Sequence, residues 1–156
     1  MITRARLLRG EYVGATQSAE RLMELAKSDE DRRRAAALLG RAVVRTGDAA
    51  RADSLLGFAL AGDLPDESRL EARVARAEAR RRLGRFSDAD ADYVQAIRQR
   101  PDDPRLRLAR FHLLLEAGRP DDAAVEFRGL LSRPQPVAVE NDILEAADTF
   151  ARKAPQ

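Results

Sequence analysis

Four glycines divide this chain at near-constant intervals. Gly10, Gly47, Gly84 and Gly118 stand 37, 37 and 34 residues apart. The same residue classes return behind each one. Five positions on come Ala15, Ala52, Ala89 and Ala123; nine on, Ala19, Leu56, Tyr93 and Phe127; twelve on, Leu22, Ala59, Ala96 and Leu130. Two positions on come Tyr12, Ala49, Phe86 and Pro120. Seven before the later anchors stand Gly40, Ala77 and Phe111, and prolines follow near offset seventeen, at Pro65, Pro101 and Pro134 or Pro136. A period of this length marks a small supersecondary unit that cannot bury its apolar face alone and must stack on copies of itself.

Between the marks the pattern is helical. Ala35, Leu38, Leu39, Ala42 and Val43 recur at the three- and four-residue spacing of one helix face. Ser28 with Asp31 three residues on can cap that helix, and Asp103 before Pro104 is an N-cap followed by a first-turn proline. Each anchor glycine falls where a helix needs a left-handed C-terminal residue, which glycine adopts at least cost. The spacing predicts helices over 2–9, 12–26, 30–45, 49–61, 67–83, 87–99, 104–117, 120–132 and 137–152. The predicted class is all-α, built from antiparallel helix pairs.

Composition narrows the function. No cysteine is present, which removes disulfides, thiolate metal sites and a cysteine nucleophile. His112 is the single histidine, so histidine clusters are excluded too. No apolar run approaches the length of a membrane-spanning helix, and the first ten residues hold no signal-peptide core, so a cytoplasmic location is expected. Asp88, Asp90 and Asp92 alternate like the start of a calcium loop, but Tyr93 stands at the turn glycine and Gln99 at the closing glutamate. They read instead as an acidic helix start. His112 and Glu116 share a helix face, as a surface pair does. Neither a nucleophile elbow, a dinucleotide fingerprint nor a phosphate loop occurs. The expectation is a non-enzymatic chain with no cofactor and no metal.

Charge is almost balanced, with 28 basic residues against 26 acidic ones. Every basic residue except Lys27 and Lys153 is arginine. Arginine runs at 32–34 and 80–82 invite a nucleic-acid reading, but acidic neighbours accompany both and no aromatic residues interleave to stack on bases.

The run from Ala77 through Gly84, Phe86, Ala89, Tyr93 and Ala96 to Pro101 resembles the tetratricopeptide repeat. The resemblance covers 33–69, 70–103 and 104–137 as three repeats in one domain spanning 1–156. Residues 1–32 form a partial repeat with a shortened first helix, and 138–156 form a closing, capping helix. It implies a right-handed superhelical solenoid. Arg73, Arg76, Arg107 and Arg110 depart from the pattern, since they stand where the family places large apolar residues. Either their stems line the packing seam with their heads in solvent, or those helices are rotated.

In the family, the first helix of each pair lines a concave surface that binds an extended peptide or a helix. The resemblance places Arg34, Arg41, Val44 and Arg45 there from the first such helix, with Ala37 and Leu38. Val74, Glu78, Arg81 and Arg82 follow from the next, and Arg105, Leu108 and His112 from the third. It implies a basic groove for a protein or peptide partner that is acidic with apolar anchors. The paired asparagines of the carboxylate-clamp members correspond here to Arg41 and Glu78, so chaperone-tail binding is not expected. Two other roles stay open: a self-assembly module, such as a homodimer, and a regulatory domain of a larger protein. Nucleic-acid binding ranks below them.

Overall fold

The structure, a computed structural model, describes residues 2–132 and 137–153. Pro134 and Pro136, and the side chain of Ala138, lie outside the described residues. The described residues form helices without strands: α1 (Ile2–Leu8), α2 (Tyr12–Leu25), α3 (Asp29–Thr46), α4 (Ala49–Leu60), α5 (Asp66–Arg82), α6 (Phe86–Gln99), α7 (Pro104–Glu116), α8 (Pro120–Leu131) and α9 (Val137–Lys153). Each bound lies within one residue of the span the sequence predicts.

The anchor glycines explain that agreement. Gly10, Gly47, Gly84 and Gly118 all have positive φ, between 70° and 108°. At Gly84 the amide of Arg85 donates to Arg80 O at 2.8 Å while Gly84 N donates to Arg81 O at 3.0 Å. Gly118 repeats this, with Arg119 N to Leu114 O at 2.8 Å and Gly118 N to Leu115 O at 3.2 Å. This paired closure satisfies carbonyls that the helix end would otherwise leave open. Starts are equally local. Ser28 Oγ accepts from Asp31 N at 3.1 Å, Asp48 caps α4 through Arg51 N at 3.0 Å, and Asp103 caps α7 through Arg105 N at 3.1 Å.

The chain divides into two compact units, Met1–Arg85 and Phe86–Gln156. In the first, α1 pairs with α2 and α3 with α4, and α5 packs on both α3 and α4. Its core is made of Leu39, Val43, Leu56, Leu64 and a series of alanines on α3, α4 and α5. Gly40 lets α3 approach α4 closely, because a Cβ there would lie 2.6 Å from Leu56 Cγ. In the second unit, α6 packs on α7, α7 pairs with α8, and α9 lies on both α7 and α8. Phe111 is fully buried there, with ring centroids of Phe127 and Phe150 at 5.4 and 6.1 Å.

The four arginines of the seam do not follow either expectation uniformly. Arg107 and Arg110 on α7 bury their heads against carboxylates of the neighbouring helices. Glu126 on α8 receives Arg107 Nη1 at 3.2 Å and also bonds Arg110 Nη1. Arg110 Nε donates to Asp90 Oδ1 on α6 at 2.6 Å. Arg73 and Arg76 are half-buried on α5.

Candidate functional site

The first-helix surface of the first unit is built by α3 and α5, with α1 beside α3. Along it run two clusters in which one carboxylate holds two guanidinium groups. Glu71 Oε2 accepts from Arg41 Nη1 at 2.6 Å, and Arg4 Nη2 from α1 lies 3.6 Å from Glu71 Oε1. Glu78 accepts from Arg81 Nε at 2.8 Å and from Arg82 Nε at 2.7 Å. Arg82 also reaches across to α3, where its Nη1 donates to Val44 O at 2.6 Å. Arg45, one residue on, lies over the Tyr12 ring with its Cζ 5.0 Å from the centroid. A guanidinium on a ring face is held without losing its charge.

Five guanidinium groups (Arg4, Arg41, Arg45, Arg81 and Arg82) thus accompany three carboxylates, Glu71, Glu78 and the Glu67 that acts on Arg41, a formal excess of two positive charges. The excess is uneven in access. Arg41 is only 16% exposed, and burial outweighs the neighbouring Glu71 and lowers its pKa. Arg81 and Arg82 are about one third exposed, and Arg45 is exposed. Burial acts to raise the Glu78 carboxyl, but the hydrogen bonds from Arg81 and Arg82 hold it below its ordinary value. The Glu78 carboxylate therefore stays ionised at neutral pH.

The remaining predicted groove residues are placed as follows. Arg34 is exposed and pairs with Glu30 on its own helix. Leu38, Val74 and Ala75 are half-buried and supply an apolar floor, whereas Val44 is 3% exposed and Ala37 is buried, so both belong to the core. Val44 keeps a role only through its backbone carbonyl. In the second unit, Arg105 stands at the start of α7, exposed and bonded to Asp103, which raises its pKa. Leu108 is buried in the core of that unit. His112 is half-buried, with the Phe111 ring edge-on at 5.2 Å.

Sequence reasoning missed Arg4 and Tyr12. It also missed the carboxylates that neutralise the seam. Asp53 on α4 accepts from Arg80 Nε at 2.8 Å and also bonds Arg85. Asp90 on α6 accepts from Arg110, and from Arg119 Nη1 at 2.8 Å. Both aspartates stand six residues after an anchor glycine, and Arg85 and Arg119 stand one residue after the next. That spacing was the available signal. It also accounts for the acidic run at 88–92, since Asp90 is an ion-pair partner and Asp92 is buried. Among the described residues no three histidine, cysteine, aspartate or glutamate side chains group to hold a metal. Among the described residues no helix is long and apolar enough to cross a membrane.

The tetratricopeptide repeat family model matches residues 80–138. This stretch is tetratricopeptide repeat sequence. Solved structures extend the likeness along the chain. A mutant of MamA is 24% identical, with 97% of this chain and 85% of that one covered at a TM-score of 0.68. MamA MSR-1 is 22% identical, covering 97% of this chain and 84% of that one at 0.68. MamA AMB-1 is 24% identical, covering 97% and 80% at 0.68. The likeness establishes a shared fold for the helix-pair array, beyond the stretch matched by the tetratricopeptide model. No curated protein compared with the sequence matches it.

Proposed function

We propose that this chain is a non-enzymatic interaction module whose first-helix face in the first unit binds an acidic peptide segment of a protein partner. The observation that carries the reading is the pair of two-to-one guanidinium–carboxylate clusters on α3 and α5, with Arg45 beside them. This face remains cationic after its internal pairing. A partner carboxylate meets guanidinium groups already oriented by Glu78 and by the Tyr12 ring, so little side-chain freedom is lost on binding. Leu38, Val74 and Ala75 supply apolar contacts between the charges. The tetratricopeptide repeats at 80–138 support the wider reading, because stacked helix pairs offer extended binding surfaces.

The test is an array of acidic twelve-residue peptides with leucine or phenylalanine at intervals, probed with the purified chain. The affinity of the best peptide is then compared between parent and an Arg45→Glu/Arg82→Glu variant. At least a tenfold loss supports the reading. An unchanged dissociation constant in a folded variant contradicts it.

A further inference from the structure

The charges of the α3–α5 face are segregated along its length. The two helices run side by side in one direction, since Arg41 pairs with Glu71 and, further along both, Arg82 Nη1 donates to Val44 O at 2.6 Å. Their first turns are acidic, with Asp29, Glu30 and Asp31 on α3 and Asp66 and Glu67 on α5. Their last turns are basic, with Arg45 on α3 and Arg80, Arg81 and Arg82 on α5. This bias suits the helix dipoles. It also gives the shared face two unlike ends.

The ion pairs locate the surplus charge. Near the start of the face Arg34 pairs with Glu30. In the middle Arg4 and Arg41 meet Glu71 and Glu67, two charges of each sign. At the carboxyl end Arg45, Arg81 and Arg82 accompany Glu78, while Arg80 bonds Asp53 on α4. Both surplus positive charges of the face therefore stand at this one end. The helix-end carbonyls that would repel an anion are taken up there. Val43 O accepts from Gly47 N at 3.1 Å, Val44 O from Arg82, and Arg80 O and Arg81 O from the amides of Arg85 and Gly84. The apolar floor lies to one side of the basic end. Val74 and Ala75 stand four and three residues before Glu78, and Leu38 seven before Arg45, all half-buried.

We infer that the partner segment is acid-headed: two adjacent carboxylate side chains sit at the Arg45–Arg82 end, followed by apolar residues and no further acid. This deepens the peptide-binding reading of the face and rests on it. Helical rise puts Val74 and Ala75 about 5 Å from the level of Glu78, and Leu38 about 10 Å from that of Arg45. An extended segment advances about 3.3 Å per residue and shows the same face every second residue. Its apolar side chains therefore fall about two and four positions beyond the nearer acid. A carboxylate at the far end would meet Glu30 and Glu67, whose charges Arg34 and Arg41 only balance. Like charges brought together there select against a segment that is acidic throughout.

Three end-blocked octapeptides of one composition (two glutamates, two leucines, four serines) test this by isothermal titration calorimetry with the full chain. In the first, the glutamates occupy the first two positions and the leucines the fourth and sixth. The second is the same sequence reversed, so that both chain directions are sampled. The third moves the first glutamate to the last position and leaves the leucines in place. The expected result is that the tighter of the first two binds at least fivefold more tightly than the third. In a folded Arg45→Gln variant that ratio should fall below about two. Equal binding of all three peptides, each weakened by Arg45→Glu/Arg82→Glu, overturns the acid-headed partner and leaves the peptide-binding reading standing. Tighter binding of the third peptide overturns it in the same way. Binding by none of the three overturns both readings.

Discussion

Arg110 and Asp90 join consecutive helices through a 2.6 Å bond from guanidinium Nε to carboxylate Oδ1. The pair replaces apolar packing at a seam position, and its second arm holds Glu126, which is nine-tenths buried. Two charges taken from water are tolerable only when each stays paired. Removing one partner is therefore the sensitive experiment. Glu126→Ala leaves Arg107 and Arg110 without their α8 carboxylate, and should destabilise the second unit by about 3 kcal/mol. Urea unfolding checks this. A change below about 0.5 kcal/mol would mean that solvent already screens the cluster.

Asp90 also sets an acid dependence. Burial acts to raise its carboxyl pKa, but hydrogen bonds from Arg110 and Arg119 outweigh that and hold it below the ordinary aspartate value. A depressed folded-state value stabilises the chain at pH above the unfolded value of about 3.9, and that contribution fades as pH falls through the folded value. Asp90→Asn should thus be less stable than the parent at pH 7, with the gap narrowing below about pH 4. Thermal midpoints measured from pH 7 to pH 2 test it. A gap that stays constant over that range rules out Asp90 as its source.

Gly40 tests the closeness of α3 and α4. Alanine is the better helix former by about 1 kcal/mol, so an exposed site would gain from the exchange. Here the new Cβ meets Leu56 Cγ at 2.6 Å, and Leu56 is fully buried. Gly40→Ala should lose about 1–3 kcal/mol through overpacking. Stabilisation in denaturant melts would show that the helices can separate at no cost.

The closing helix gives a paired test of orientation. The three- and four-residue spacing of Ala138, Ile143, Leu144, Ala147 and Ala151 in the sequence predicts these as its packing face. The structure keeps Ile143 but turns the face to Val139, Ala146 and Phe150, leaving Leu144 67% exposed and Ala151 exposed. Ile143→Ala should cost about 2–4 kcal/mol and Leu144→Ala less than about 0.5. Equal losses at both positions would contradict this face.

These corrections show where sequence reasoning stops. Helix ends were readable because their causes are local: a left-handed glycine at 10, 47, 84 and 118, and caps at Ser28 and Asp103. The face of α9 was not, because Ile143 fits two apolar stripes about 100° apart and only the partner helices choose between them. The arginine seam was visible as a departure at Arg107 and Arg110. Its resolution needed Asp90 and Glu126, which are 16–20 residues away in sequence. The groove arginines were located by repeat register, but register does not reveal that Glu71 and Glu78 each hold two of the cations.

The central claim is recognition of an acidic segment by the α3–α5 face, and affinity against charge reversal tests it most directly. Arg45 and Arg82 are the appropriate pair, since Arg45 has no structural carboxylate bond among those described and Arg82 shares Glu78 with Arg81. The account predicts that Arg45→Glu/Arg82→Glu weakens the best acidic peptide at least tenfold, with helix content unchanged by circular dichroism. It also predicts that raising salt from 50 to 500 mM (about a threefold shorter screening length) weakens the parent complex and spares the variant's residual binding. A folded double variant that binds the same peptide with the parent's affinity and salt dependence would contradict the account.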